Sequence, residues 1–245
     1  MIVKVIRLHK NEQKEEEPKK KGKKKRKVKI KKTNRVGIDL GSGKNYATVY
    51  FSRKNKIKIY ENFLYNEENR KIFNKMNKLK SKKILSTQEI FDIDDYEKIL
   101  SDNCHKMINR IIKDIIKHEP DIITIENINV EAMKYSNLNN VNVKNSRLLN
   151  AFIDASEFEY FKKAIKEKCK KNHIRLQIAD SKFPSTKICN VCGHWNNVKK
   201  EKIFICKHCG SFLKRDENSA IILSEYNLDE FENYYNNNSS KKYYK

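Results

Sequence analysis

Two Cys-x-x-Cys pairs, Cys189/Cys192 and Cys206/Cys209, constrain this chain more than any other feature. Each knuckle offers two sulfurs at close range, and two knuckles together make a tetrahedral four-thiolate zinc site. The thirteen residues between them form a short spacer for this pattern. A hairpin carrying Lys202-Ile203-Phe204-Ile205 closes it. Gly193 and Gly210 directly follow the second cysteine of each knuckle, where the chain must turn tightly. A ribbon over 187–212 is too small to be held by apolar burial, so the metal supplies its folding energy. His194 and His208 flank the knuckles, but four thiolates already fill the shell, and both histidines are read as bystanders. A structural zinc does no chemistry. The nearest candidate for that is Asp216, seven residues beyond Cys209.

The charge balance narrows the partner. The 245 residues carry a net charge of +23, which points to a polyanion, most simply nucleic acid. Much of that charge is local: residues 1–35 hold sixteen Lys or Arg against four Glu, and eleven of the fourteen residues from Lys19 to Lys32 are basic. Met1 to Leu8 reads as one strand. The rest of 1–34 is expected to be a disordered basic segment that grips phosphates, and 227–245 a frayed Asn-, Tyr- and Lys-rich tail. Six cysteines, four of them in knuckles, fit a reducing compartment rather than a disulfide scaffold. Cys104 and Cys169 lie among apolar neighbours and read as buried small hydrophobes. No apolar run approaches membrane-spanning length and the N-terminus is no signal peptide. The expectation is an intracellular protein without a membrane partner, in the cytoplasm or nucleoid, or in the nucleus of a eukaryotic host.

Between Arg35 and Tyr226 the pattern is α/β. Strands are predicted at 36–41, 46–51, 56–60, 121–126 and 174–179, with helices over 66–83, 94–117, 148–171 and 216–226. Residues 131–147, polar and Asn-rich, read as a long loop. Two strands carry a carboxylate inside an otherwise apolar run: Asp39 in Val36-Gly37-Ile38-Asp39-Leu40-Gly41, and Glu126 at the end of Asp121-Ile122-Ile123-Thr124-Ile125-Glu126. Burying such a group is costly unless something pairs with it, and a divalent cation is a common partner. Asp216 opens the last helix. Two metal ions about 4 Å apart need acids from different elements converging at one sheet edge, and these three can meet that requirement.

Val-Gly-Ile-Asp-Leu-Gly at 36–41, Ile-Thr-Ile-Glu-Asn at 123–127 and Arg-Asp-Glu-Asn-Ser-Ala at 215–220 resemble the three RuvC motifs of the TnpB (OrfB) family. Those proteins are transposon-encoded, RNA-guided DNA endonucleases related to compact type V CRISPR effectors. Asn150 to Ser156, and Pro184 to Cys189 entering the ribbon, add to the likeness, which spans roughly 35–225. It implies an RNase H-like (RuvC) mixed sheet flanked by helices, built from 35–186 and 213–226, with the zinc ribbon inserted. It also implies that Asp39, Glu126 and Asp216 are the catalytic acids, holding two Mg²⁺ ions for phosphodiester hydrolysis, and that DNA and a guide RNA are partners. The chain departs from the family at Lys214, where an Asp is usual. It departs also before residue 35, where only one strand resembles the family's wedge and recognition elements. Recognition is then expected to come from a second copy or a separate protein. The alternative is a nucleic-acid-binding remnant that cuts nothing.

Overall fold

The computed structural model describes residues 33–140, 143–180, 182–198 and 202–227. The expectations for residues 1–32 and 228–245 lie outside them. Five strands form one sheet in the order β3-β2-β1-β4-β5: β1 (Arg35–Leu40), β2 (Asn45–Phe51), β3 (Lys56–Glu61), β4 (Ile122–Glu126) and β5 (Arg175–Ala179). The first three are an antiparallel meander, while β4 and β5 run parallel to β1 and to each other. Helices α1 (Glu67–Lys80) and α2 (Thr87–Ile116) connect β3 to β4, and α3 (Val130–Asn140), α4 (Val143–Ala155) and α5 (Phe158–Lys171) connect β4 to β5. A two-stranded hairpin, β6 (Ile203–Ile205) with β7 (Phe212–Lys214), leads into α6 (Arg215–Glu225) without an intervening loop.

Period-two alternation sends the two faces of the sheet to different partners. Val36, Ile38 and Leu40 of β1 join Ile123 and Ile125 of β4 in the main core, closed by Ile108, Ile111 and Ile115 of α2 and by Phe161 and Ile165 of α5. The other face carries Gly37, Asp39, Thr124 and Glu126, and α6 packs against it. Gly37 makes this packing possible. A Cβ there would lie 2.0 Å from the Ala220 carbonyl oxygen and 2.4 Å from the Ser224 nitrogen, so no other residue admits the helix so close. The far end of α6 buries Ile222 and Leu223 against Ala179, Phe183 and Ile188, with Tyr226 closing the cluster.

Three helical expectations change. Helix α2 starts at Thr87 rather than 94, because Ser86 and Glu89 form a reciprocal capping box that fixes its first turn. The segment read as a loop over 131–147 is largely helical in α3 and α4. The single helix expected over 148–171 is broken at Ser156-Glu157. There Glu157 adopts a left-handed conformation (φ 44°), and the Ser156 carbonyl leaves the helix to accept the buried Tyr46 hydroxyl at 2.9 Å. No glycine or proline marks that break; a tertiary hydrogen bond does. Cys104 and Cys169 are buried, as expected, and burial pushes both thiols up, Cys169 to about 11. No described helix is long and apolar enough to cross a membrane.

Candidate active site and four-cysteine cluster

Parallel pairing puts Ile38 opposite Ile125, so Asp39 and Glu126, each one residue further on, are neighbours on the same face at the C-terminal ends of adjacent strands. That is where an open α/β sheet presents its ligands. Helix α6 lies across this face and brings Asp216 in its first turn. The three acids predicted from sequence therefore meet at one end of the sheet, near enough that Glu126 and Asp216 both act electrostatically on Asp39. They are not drawn as tightly together as the four thiols. Among the described residues the cysteines are the one group of metal-ligating atoms lying within 4.8 Å of one another.

The acids are held in a strained electrostatic state. Burial pushes the Asp39 carboxyl well above the usual carboxylate range, and the negative charges of Glu126 and Asp216 push it further. Arg215 and a hydrogen bond from the Ser219 hydroxyl (3.3 Å) oppose that rise only in part. Glu126 is likewise raised by burial and eased by Arg215. Acids crowded and desolvated in this way would give up their protons to solvent when a divalent cation binds, because its charge offsets their mutual repulsion. The residues present fit such an ion: three carboxylates, each only partly exposed, from three separate elements.

Sequence reasoning left the residues after Asp216 without roles, and the structure supplies them. Asn218, fully buried, donates its side-chain amide to the Ile188 carbonyl (2.7 Å) and accepts the Asn190 backbone N–H (3.0 Å). It thereby clamps α6 to the first knuckle of the ribbon. Ser219 bonds Asp39 and also Ser185 (3.1 Å), just upstream of that knuckle. The Arg215 backbone N–H reaches the Lys202 carbonyl at 2.9 Å, tying the start of α6 to the second half of the ribbon. Their signal was the run Arg215 to Ala220, legible as a block through its motif resemblance but not residue by residue.

The ribbon itself folds as the cysteine spacing required. Cys189 and Cys209 sulfurs lie 3.7 Å apart, and Cys192 and Cys206 sulfurs 3.6 Å apart. A tetrahedron with metal–sulfur bonds of about 2.3 Å places its sulfurs about 3.8 Å apart, so the cluster could hold zinc with little adjustment. Gly193 and Gly210 take the left-handed turns expected of them (φ 70° and 71°), each returning its N–H to the first cysteine of its knuckle. Ser211 sits 3.2 Å from Cys209 Sγ and pulls that thiol down to about 6. Burial opposes the same effect at Cys206, where the N–H groups of Cys209 and His208 and the Asn196 amide prevail. Both shifts favour the thiolate a metal requires, whereas burial pushes Cys192 the other way, up to about 12. His194 and His208 stack on each other with ring centroids 5.1 Å apart, outside the four-sulfur group.

Residues 158–223, from α5 through the ribbon into α6, match the family described as Cas12f1-like, TNB domain. No curated protein sequence matches the chain. Among solved structures, the chain is similar to Cas12f1 in a complex with sgRNA and target DNA, with a TM-score of 0.57 and 19% identity over 78% of this chain and 49% of that one. It is also similar to a chain of a CRISPR-Cas12f ternary complex, with a TM-score of 0.49 and 20% identity over 80% of this chain and 40% of the other. The chain thus spans about half the length of the first of these or less of the second. Its fold is Cas12f-like, and the stretch from α5 into α6 is similar to the Cas12f1-like TNB domain.

Proposed function

We propose that this chain is a metal-dependent DNA endonuclease of the RuvC type, working with a guide RNA. The observation that carries the reading is the meeting of Asp39, Glu126 and Asp216 at one end of a mixed sheet, from two parallel strands and a helix that crosses them. The strand order, with an antiparallel meander followed by two parallel strands, fits the RNase H-like architecture that the motif resemblance implies.

In this reading the three carboxylates would hold two Mg²⁺ ions, which supply a nucleophilic hydroxide and stabilise the leaving 3′ oxygen of a phosphodiester. The chain's own residues do the positioning. The pairing of β1 with β4 fixes Asp39 beside Glu126, Ser219 orients the Asp39 carboxylate, and the flush seating of α6 on Gly37 fixes Asp216. The ribbon adds exposed aromatic rings. Trp195 is 43% exposed with the Lys187 ammonium 5.2 Å from its ring, and Phe212 is 68% exposed on the hairpin. Aromatic faces interleaved with lysines suit an unpaired strand, whose bases stack while its phosphates meet the charge. The partners stated for the structural relative, sgRNA and target DNA, agree with the net positive charge here and are taken as this chain's partners.

The test is to purify the chain from cells carrying its flanking DNA, sequence the RNA that accompanies it, and assay Mg²⁺-dependent cleavage of DNA matching that RNA. A discrete RNA with a variable end, and cleavage lost by a factor of about 10³ or more in Asp39→Asn with binding retained, is the expected result. Binding without cleavage in the wild type makes the chain a nucleic-acid-binding module instead. Cleavage unchanged by Asp39→Asn removes the site assignment.

A further inference from the structure

Arg215 occupies a position that its own helix does not favour. It is the first residue of α6, where the helix dipole repels a positive charge. Its Nε is buried and meets no hydrogen-bond acceptor among the described residues. Both features cost stability, so local structure does not explain the residue. Its surroundings do. Nη2 donates to Asp216 Oδ1 at 3.1 Å, in a pair about two-thirds shielded from solvent, and its charge reaches both Asp39 and Glu126. Arg215 therefore pairs directly with one acid and acts electrostatically on the other two. The neighbouring cation Lys214 turns to Glu217 instead, at 3.3 Å.

We propose that Arg215 is a resident counter-cation of the carboxylate site, bound on Asp216 when no divalent ion is present and displaced from that carboxylate when one enters. This rests on the metal-site reading above. The guanidinium supplies the positive charge that lets three acids share one end of the sheet in the metal-free protein, and its fork engages an oxygen that a metal ion also needs. Metal binding then exchanges one cation for another and is weaker than three bare carboxylates would give. Arg215 is accordingly a positioning residue, and its effect is on metal affinity and on the stability of the metal-free state.

The experiment titrates Mn²⁺ into the zinc-loaded, full-length chain and reads free Mn²⁺ by electron paramagnetic resonance, for the wild type, Asp39→Asn, Arg215→Met and Arg215→Lys. Asp39→Asn is expected to lose the Mn²⁺ site. Arg215→Met is expected to bind Mn²⁺ about two- to fivefold more tightly, the range that loss of a half-buried ion pair supports. The same variant should show a lower Tm than the wild type without Mn²⁺. Arg215→Lys, which keeps the charge without the fork, should fall between, and it serves alone if Arg215→Met does not fold. Equal or weaker Mn²⁺ affinity in the Arg215 variants, with Asp39→Asn still losing the site, overturns the inference. Wild type and Asp39→Asn binding Mn²⁺ alike overturns the metal-site reading beneath it.

Discussion

Asp39 concentrates the energetic conflict of the molecule in one side chain. Its carboxyl is raised by burial first, then by Glu126 and Asp216, so the folded, cation-free protein holds that proton more tightly than the unfolded chain does. Between the ordinary aspartate value of about 3.9 and the raised folded value, folding takes up a proton. Stability therefore falls as pH rises through that window, and the loss is complete above it. Asp39→Asn removes the conflict. It is expected to raise the Tm of the zinc-loaded chain, free of other divalent cations, by a few degrees at pH 7, with the gain shrinking toward pH 4. Thermal denaturation across that range reads the effect; a variant less stable than wild type at pH 7 contradicts it. A group placed for packing behaves in the opposite way. Asp39 and Glu126 were both legible in the sequence as carboxylates inside apolar strands, because hydrophobic patterning makes such residues conspicuous. Arg215, Asn218 and Ser219 were not, because a polar residue at the start of a helix is unremarkable until its partners on other elements are known.

Helix α6 is the element on which the site depends, and it is held from two sides. Gly37 lets it lie directly on β1, and Asn218 ties it to the Ile188–Asn190 backbone of the first knuckle. Gly37→Ala is expected to push the helix away from the strand, at a cost of about 1–3 kcal/mol for overpacking. Denaturant unfolding measures that cost, and metal-dependent cleavage should fall more steeply than stability because Asp216 moves with the helix. A Gly37→Ala protein of unchanged stability contradicts the flush packing. The sequence made the strand, the helix and the ribbon visible through periodicity and cysteine spacing. The stacking of α6 on Gly37 was hidden, since a glycine within an apolar strand has several readings. The break at Ser156-Glu157 was hidden for the same kind of reason: a hydrogen bond from Tyr46, more than a hundred residues away, decides it.

Across the whole molecule, ribbon and sheet form one unit rather than a sheet domain with an appendage. The β6–β7 hairpin runs straight into α6, so the residues that could hold zinc and the last of the three acids share one continuous backbone. The α/β class and the ribbon were legible because both rest on local patterns. The helical character of 130–140 was not, since that stretch has almost no apolar periodicity to announce it. The central claim is that Asp39, Glu126 and Asp216 form one divalent-metal site distinct from the four cysteines. Anomalous diffraction at the manganese edge, from crystals of the full-length chain grown with Mn²⁺, tests it most directly. Manganese is expected to be bound by those three carboxylates, with zinc alone at the thiolates. Crystals containing zinc at the cysteines but no manganese between Asp39, Glu126 and Asp216 would contradict it.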